Sequence, residues 1–315
     1  MALLTRKRVL LIKEETEYGT DSSPTPAENC LDVRNLKIAG AGDLLERDLM
    51  RNTLSTLTPK LGKRWYDISF DCELKGSGTK GTAGKLGDLF EACGFSETVS
   101  AGSSVVYKPQ SDTFKSVTIY AYDIPDSGEN ALVRKLLGVR GSLRIVAEAG
   151  QICRLEFTGK GKYADPTDDA IPTGMTYETT IPPIVESSVF TLNNVSLIAQ
   201  SINLDMANTL VDEDDISGAA GIKAFLITGR KPAGTFNPEA VLVATYNFWA
   251  DWIAATSRAL SMVIGTTAGN KITITAPALS IDNLDEGDRN GIITRDIPFH
   301  LAQSTGDDEV QFKFE

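Results

Sequence analysis

Hydrophobic and polar residues alternate along most of the chain, and this pattern predicts a mainly β protein. The clearest strand spans 67–74, where four apolar residues alternate with Asp67, Ser69, Asp71 and Glu73. A period of two puts apolar side chains on one face of a strand and polar side chains on the other. Similar patterns predict strands at 31–38, 105–107, 117–122, 143–148, 152–158, 195–197, 202–206, 230–243, 262–264, 272–275, 292–297 and 310–314.

Apolar residues recur at helical spacing in two segments only. The first helix is predicted over 86–93, with Asp88 and Glu91 pointing outward and Gly94 ending it. The second is predicted over 246–257. Strands therefore far outnumber helices, and the short polar turns between them favour antiparallel pairing.

The two halves of the chain show the same order of elements. Arg64 precedes a strand and then a helix, and Arg230 does the same in the second half. The two arginines are 166 residues apart (230 − 64 = 166), and we call this difference the repeat offset. The shared order indicates an internal duplication. The predicted fold is mainly β, with two tandem β-sandwich or barrel domains that each carry one flanking α-helix.

Length and composition place the domain boundaries. A chain of 315 residues is long enough for two domains of about 150 residues. We predict an N-terminal extended arm with little core of its own at 1–29, a first β domain at 30–163, a linker at 164–188 and a second β domain at 189–315. The linker prediction rests on four prolines among acidic residues.

Charge and cysteine content exclude several classes of protein. A net charge of −11 argues against sequence-specific DNA binding, which needs a basic patch. No run approaches the ~20 apolar residues of a membrane helix. The four cysteines lack CxxC spacing, so we interpret them as reduced core thiols.

Residues 76–81 match G-x-G-x-x-G between a strand and a helix, the context of a dinucleotide-binding loop. The preceding strand is charged on one face, however, whereas a parallel strand between helices is apolar throughout. Lys85 is not followed by Ser or Thr, so it does not complete a P-loop. A flexible loop is therefore favoured, with nucleotide binding as a distant alternative.

Two other motifs carry no chemistry on their own. Glu286, Asp288 and Asn290 resemble the start of a calcium loop, but the twelfth position is Ile297 instead of Glu. An acidic surface turn is favoured there. His300 is the only histidine and has no nucleophile motif nearby in the sequence. We therefore expect neither a cofactor nor an enzymatic activity.

Three passages resemble the major tail tube proteins of long, non-contractile-tailed bacteriophages. They are the N-terminal run KEETEYGTD at 13–21, LFEACGF at 89–95 followed by SVVY at 104–107, and FTG at 157–159 leading into YADPTD at 163–168. The resemblance implies a β-sandwich with a flanking helix. It also implies subunits that join into rings with a continuous inner barrel, and rings that stack into a hollow virion tube through which DNA passes.

The resemblance assigns roles to particular residues. Two tube-type domains per chain imply a ring of three chains with pseudo-sixfold symmetry. The acidic residues that we expect to face the lumen are Glu46, Asp48, Asp67, Asp71 and Glu73, and the alternative is that they lie on the exterior of the tube. The arm and a long polar segment at 43–63 are expected to contact neighbouring rings, and the loop residues concerned are Arg51, Asn52, Thr53, Leu54, Leu57 and Lys60.

The resemblance also implies partners, and alternatives remain. We expect self-assembly, contacts with the tape measure and tail completion proteins, passage of DNA without sequence-specific binding, and no membrane insertion. Synthesis is expected in the host bacterial cytoplasm. The alternatives are a secretion-system tube, a capsid decoration or tail-tip protein, and a nucleotide-binding enzyme that uses Gly76 to Gly81.

Overall fold

The computed structural model describes residues 2–186 and 188–315, and strands make up most of it. The first half contains β1 (Leu3–Glu14), β2 (Cys30–Leu31), β3 (Arg34–Leu45), β4 (Lys60–Glu73), β5 (Phe95–Ser100), β6 (Ser104–Pro109), β7 (Val117–Pro125), β8 (Asn130–Glu148), β9 (Arg154–Tyr163) and β10 (Thr167–Ala170). The second half contains β11 (Val189–Leu192), β12 (Val195–Ser196), β13 (Ala199–Asp205), β14 (Thr209–Asp214), β15 (Ile222–Gly229), β16 (Ala233–Pro238), β17 (Arg258–Ile264), β18 (Ile272–Ile281), β19 (Asp285–Arg289), β20 (Ile292–Ala302) and β21 (Gln311–Phe314). The described helices are α1 (Pro26–Asn29), α2 (Gly87–Ala92) and α3 (Phe248–Ile253). The predicted mainly β class is confirmed, and α2 and α3 lie inside the two predicted helical segments.

The first half is built on a curled antiparallel sheet with the order β2-β1-β7-β8-β9-β4-β3. The long strand β8 passes from one side of this sheet to the other. Its first residues pair with β7 and β10, and its later residues pair with β9. The apolar face of β4 packs inward, where the rings of Phe70 and Phe157 lie 5.0 Å apart.

The second half contains a further set of antiparallel strands. Antiparallel pairs give the order β13-β16-β20-β18, and β18 also pairs with β17 and β21. Strand β17 continues to β11 and β12. Strand β19 forms a hairpin with β20.

Two strand pairs join the halves. Strand β8 pairs with β13, and β6 pairs with β21. Buried residues of both halves form one hydrophobic core, in which the ring of Phe312 lies 5.3 Å from Phe90 and 5.6 Å from Phe95. The predicted domain boundaries stay a prediction, because a shared core is compatible both with two packed domains and with one.

The N-terminal segment is not the predicted extended arm. Strand β1 pairs with β7 along most of its length, and Val9 to Ile12 are all buried. Leu10 and Ile12 join the main core, whereas Val9 and Leu11 pack in a second cluster on the other face. A strand covered on both faces shows no alternation, and this explains why the sequence pattern missed it.

The long polar segment predicted at 43–63 is shorter than expected. Strand β3 continues to Leu45 and β4 begins at Lys60, so the loop covers 46–59. Backbone pairing between β3 and β4 holds the ends of the segment, although their side chains are exposed. Exposure on both faces removes the alternation by which a strand is recognised.

Glu91 on α2 is buried instead of pointing outward as predicted. The Nζ of Lys115 lies 2.7 Å from its carboxylate and 3.0 Å from that of Glu14. Burial is the main cause that raises the pKa of Glu91, and burial also raises the pKa of Asp88 to about 6. Lys115 lies outside α2, and its salt bridge with Glu91 compensates for the burial of that carboxylate.

Candidate assembly surfaces

One continuous sheet crosses both halves of the chain and is the main candidate for an assembly surface. Its order is β3-β4-β9-β8-β13-β16-β20-β18, with four strands from each half. One face packs on the core, and polar residues such as Asp67 and Asn203 lie on the other. The seam between the halves is the antiparallel pair of Arg144–Glu148 with Ser201–Asp205.

This eight-stranded sheet has one open edge at β3 and another at β19, which lies beyond the end of β18, whereas β18 itself also pairs with β17 and β21. Among the described residues, β3 pairs with β4 alone. At the other end of the sheet, β18 and β19 pair with successive parts of β20, and in the same described ranges β19 pairs with β20 alone. An open edge presents unpaired backbone N–H and C=O groups and is a template for pairing with another chain.

The β3–β4 hairpin and the long hairpin of the second half have the same register; the second hairpin continues from β13 and β16 into β14 and β15, which form a separate two-stranded sheet. Ile38 pairs with Ile68 and Leu44 with Leu61 in the first half. Their counterparts in the second half are Leu204 with Gly234 and Leu210 with Ile227. Every position is shifted by the repeat offset that the sequence predicted (204 − 38, 234 − 68, 210 − 44 and 227 − 61 all equal 230 − 64). The bulge after Gly42 also has a counterpart beside Thr209.

The predicted inter-ring residues lie at the tip of the first long hairpin. Arg51 to Leu54 belong to the exposed loop 46–59, and Lys60 opens β4. The side chains of Met50 and Leu54 are fully exposed. Leu44, Leu45 and Leu61 below them are also more than half exposed, which gives the tip an apolar surface. Large exposed apolar patches mark interaction sites in soluble proteins.

Strand directions place the tip 46–59 at one end of the sheet. Alternate strands of an antiparallel sheet run in parallel, so β4, β8 and β16 share a direction. The tip 46–59 therefore lies at the end of the sheet at which the chain leaves β13 for the separate β14–β15 hairpin. The opposite end has its own exposed apolar residues, which are Ile198, Leu242, Val243, Ile292 and Ile293.

The predicted lumen residues fall into two groups. Glu46 and Asp48 lie in the exposed loop 46–59, whereas Asp67, Asp71 and Glu73 lie on the polar face of β4, as their alternation predicted. Strand pairing sets a basic residue opposite each of these three. Lys160 faces Asp67, Arg34 faces Asp71 and Arg154 faces Glu73. The first-half part of this face therefore carries both signs of charge.

The second half contributes carboxylates that the sequence reasoning missed. Asp205, Glu239, Asp282, Asp285 and Asp296 lie on the same polar face or at its end, with Arg289 beside Glu239 at 2.6 Å. These carboxylates make the second-half part of the face more acidic than the first-half part. The sequence analysis predicted strands that contain Asp205 and Asp296, but local periodicity does not show that these strands join the same sheet as β4.

The acidic run Asp212 to Asp215 belongs largely to the β14–β15 hairpin. This hairpin lies across the polar face of the first half. Asp212 contacts Lys160 at 3.2 Å and Asp214 contacts Lys63 at 2.5 Å. The run thus neutralises lysines of the other half.

Residues Glu15 to Tyr18 and Arg140 anchor this hairpin. The buried carboxylate of Glu15 accepts hydrogen bonds from Ser116, Thr118 and the backbone N–H of Gly138. The backbone N–H of Phe225 donates to the Tyr18 hydroxyl at 2.8 Å, and Arg140 donates to the Phe225 carbonyl at 3.0 Å. Burial raises the pKa of Tyr18 to about 12, so the hydroxyl stays protonated at neutral pH.

The glycine-rich loop 76–84 contacts the second half. Gly76 donates its N–H to Oδ1 of Asn270 at 2.8 Å, and Gly78 donates to the Gly269 carbonyl at 3.1 Å. A phosphate would need such N–H groups free. A Cβ added to Gly76 would lie 2.2 Å from the Gly269 carbonyl oxygen, so glycine is required by a close approach between two backbones.

We expect Gly76→Ala to lower the free energy of unfolding by about 2–3 kcal/mol, because the backbones at this contact must move apart. Gly84→Ala is the matched control in the same loop, since its Cβ would meet its nearest neighbour at 3.5 Å. Its effect should stay below about 1 kcal/mol. Urea unfolding of both variants measures the difference, and equal effects would show that the contact is not tight.

The lone histidine lies on the polar face of β20. Nδ1 of His300 is 2.5 Å from Oδ1 of Asp282, and both side chains are about half exposed. The described residues contain no cluster of three or more potential metal ligands. In the same ranges no helix has the length and apolar character needed to cross a lipid bilayer.

Comparison with known proteins assigns a family. No curated protein matches the chain with significance. The family model described as phage tail tube protein matches residues 5–301, which is nearly the whole chain. The chain therefore belongs to the phage tail tube protein family and is a structural protein of the virion tail.

Proposed function

We propose that three copies of this chain close into a ring of six similar β units and that these rings stack into a tube that conducts DNA. The observation that carries this proposal is the seam between β8 and β13. It joins the four-stranded sheets of two units inside one chain, and among the described residues β3 and β19 each keep one open edge. A ring whose rotation closes pairs every such edge.

The equal registers of the two long hairpins support an internal duplication. A constant repeat offset over two pairs of strands, with a bulge at the same place, is the pattern that a duplicated unit would leave. Two equivalent units per chain make three the number of copies for a sixfold arrangement.

Opposite ends of the sheet support stacking of rings head to tail. The exposed tip 46–59 lies at one end, and the apolar residues around Leu242 and Ile293 lie at the other. A heterologous contact of this kind does not close on itself and produces a filament. The predicted loop residues Arg51, Asn52, Thr53, Leu54, Leu57 and Lys60 remain our candidates for it.

The polar face of the eight-stranded sheet is our candidate for the lumen. Lysine and arginine side chains bind DNA phosphates because this releases the counterions of the DNA. A channel through which DNA must slide should therefore not carry a net positive charge. On this face Lys160, Arg34 and Arg154 face the carboxylates of Asp67, Asp71 and Glu73, and the second half adds further carboxylates. The tape measure and tail completion proteins would be the other partners of the tube.

Phage with Asp67→Lys, Asp71→Lys and Glu73→Lys in this chain should assemble tails but lose infectivity on the order of 100-fold, because unpaired cations would retain DNA. Tail assembly is scored by electron microscopy and infectivity by plaque counts. The control carries the same change of charge at the exposed residues Asp112, Asp126 and Glu129 outside this face.

Three outcomes separate the possibilities. Normal tails with reduced infectivity in the first variant alone would support the lumen. Unchanged infectivity would contradict the assignment of this face. Loss of infectivity in both variants would show that total charge matters and not its position.

A further inference from the structure

The seam inside the chain provides a template for a contact between chains. In the seam, Asp205 lies opposite Arg144 and Asn203 opposite Val146, in antiparallel register. If the two halves are equivalent, the open edges of the chain should meet as β8 and β13 do. For each strand of the seam, the equivalent strand of the other half can be identified from the neighbouring strand with which it pairs.

The counterpart of β13 is β3. Leu204 pairs with Gly234 as Ile38 pairs with Ile68, and both positions are shifted by the repeat offset. Asp205 therefore corresponds to Ala39, and Asn203 corresponds to Lys37. In β13 these positions pair with β8, whereas among the described residues no second strand pairs with β3, although the Leu36 and Ile38 carbonyls accept hydrogen bonds from Arg8 and Arg134.

The counterpart of the paired part of β8 is β19. Gly159 lies beside Ile68, and Phe299 lies beside the equivalent Gly234. Three residues earlier along each strand, Glu156 pairs with Arg144 and Asp296 pairs with Asp285. Asp285 therefore occupies the position of Arg144, and Gly287 occupies that of Val146.

We propose that β19 of one copy pairs antiparallel with β3 of the next copy, with Asp285 opposite Ala39 and Gly287 opposite Lys37. This inference rests on the proposed ring and names the strands and the register that close it. The partner is a second copy of this chain, and the contact is heterologous.

The charges of the two edges fit this pairing. β3 carries the exposed bases Arg34 and Lys37, whereas β19 carries the exposed acids Asp285, Glu286 and Asp288. In the proposed register Lys37 is diagonal to both Asp285 and Arg289, while Glu286 and Asp288 lie opposite Ile38 and Leu36, so the charges act between the two edges as a whole and not in directly opposed pairs. Two β3 edges or two β19 edges would therefore repel each other, so the charges favour a ring over a symmetric dimer.

Disulfide trapping tests the register. Assembled protein with Ala39→Cys and Asp285→Cys should form cross-linked oligomers on non-reducing gels, up to the trimer. The control joins Ala39→Cys with Arg289→Cys, four residues further along β19. That shift is about 13 Å, well beyond the reach of a disulfide. The four native cysteines are buried and should not interfere.

A positive control lies inside the chain. Arg144→Cys with Asp205→Cys occupies the equivalent positions of the seam and should form an intramolecular disulfide in the monomer. Rings that form without the Ala39–Asp285 link, or that trap Ala39 with Arg289 instead, overturn the register and leave the proposed function standing. Wild-type protein that forms no rings while the positive control still links overturns both.

Discussion

Phage whose tube subunit carries Met50→Glu and Leu54→Glu are expected to produce rings but no tubes, with infectivity lowered at least ~1000-fold. Both side chains are fully exposed at the tip of the first long hairpin, so their replacement should not disturb the fold. Burying a charge without a partner costs several kcal/mol. Because the same contact recurs at every ring boundary, that cost stops the growth of the tube. Electron microscopy of lysates distinguishes rings from tubes.

The control for this prediction exchanges the two residues conservatively. Met50→Leu with Leu54→Met keeps the apolar surface and should allow tubes of normal length. Tubes that assemble normally from the double glutamate variant would place the contact between rings elsewhere in the molecule.

The variant Arg140→Met is expected to lose about 3–5 kcal/mol of the free energy of unfolding. The guanidinium is buried and donates to the carbonyls of Phe114, Lys115 and Phe225. It also lies 4.7 Å from the ring of Tyr18. Removing it leaves three carbonyl groups in two segments without this donor, and the β14–β15 hairpin loses an anchor.

The matched control is Arg144→Met on the same strand. Arg144 is half exposed and its nearest carboxylate, Glu156, is 3.7 Å away, so the change should cost less than about 1 kcal/mol. Denaturant unfolding of the free chain measures both variants. A cost for Arg140→Met no larger than that of the control would show that the hairpin is held by its apolar contacts alone.

The sequence predicted the parts of the fold in which one face of a strand is buried and the other face is exposed to solvent. The alternation in β4 identified the strand, its apolar face and its polar face, including Asp67, Asp71 and Glu73. The shared order of elements predicted the repeat offset, which the hairpin registers reproduce. Local periodicity is sufficient for such features because it depends on neighbours in the chain.

Features that depend on distant contacts were not predictable in this way. β1 is buried on both faces and shows no alternation, so it was predicted as an arm. Glu91 is buried because Lys115 lies against it, and the glycines of 76–78 serve a contact with Gly269 and Asn270. The basic partners of the lumen candidates likewise follow from strand pairing. A single sequence does not record which strands meet.

The family assignment narrows the alternatives that the sequence left open. A match to phage tail tube proteins over residues 5–301 favours a tube subunit over a capsid decoration protein or a nucleotide-binding enzyme. In the glycine-rich loop, the backbone N–H groups of Gly76 and Gly78 donate hydrogen bonds to Asn270 and Gly269 of the same chain.

The number of chains in one ring tests the central claim most directly. Cryo-electron microscopy of purified tails at a resolution that separates strands would count the chains and trace the seams between them. Three chains per ring, with six similar β units around one bore, is the predicted result. Six identical chains per ring, each with only one of its halves around the bore, would contradict it.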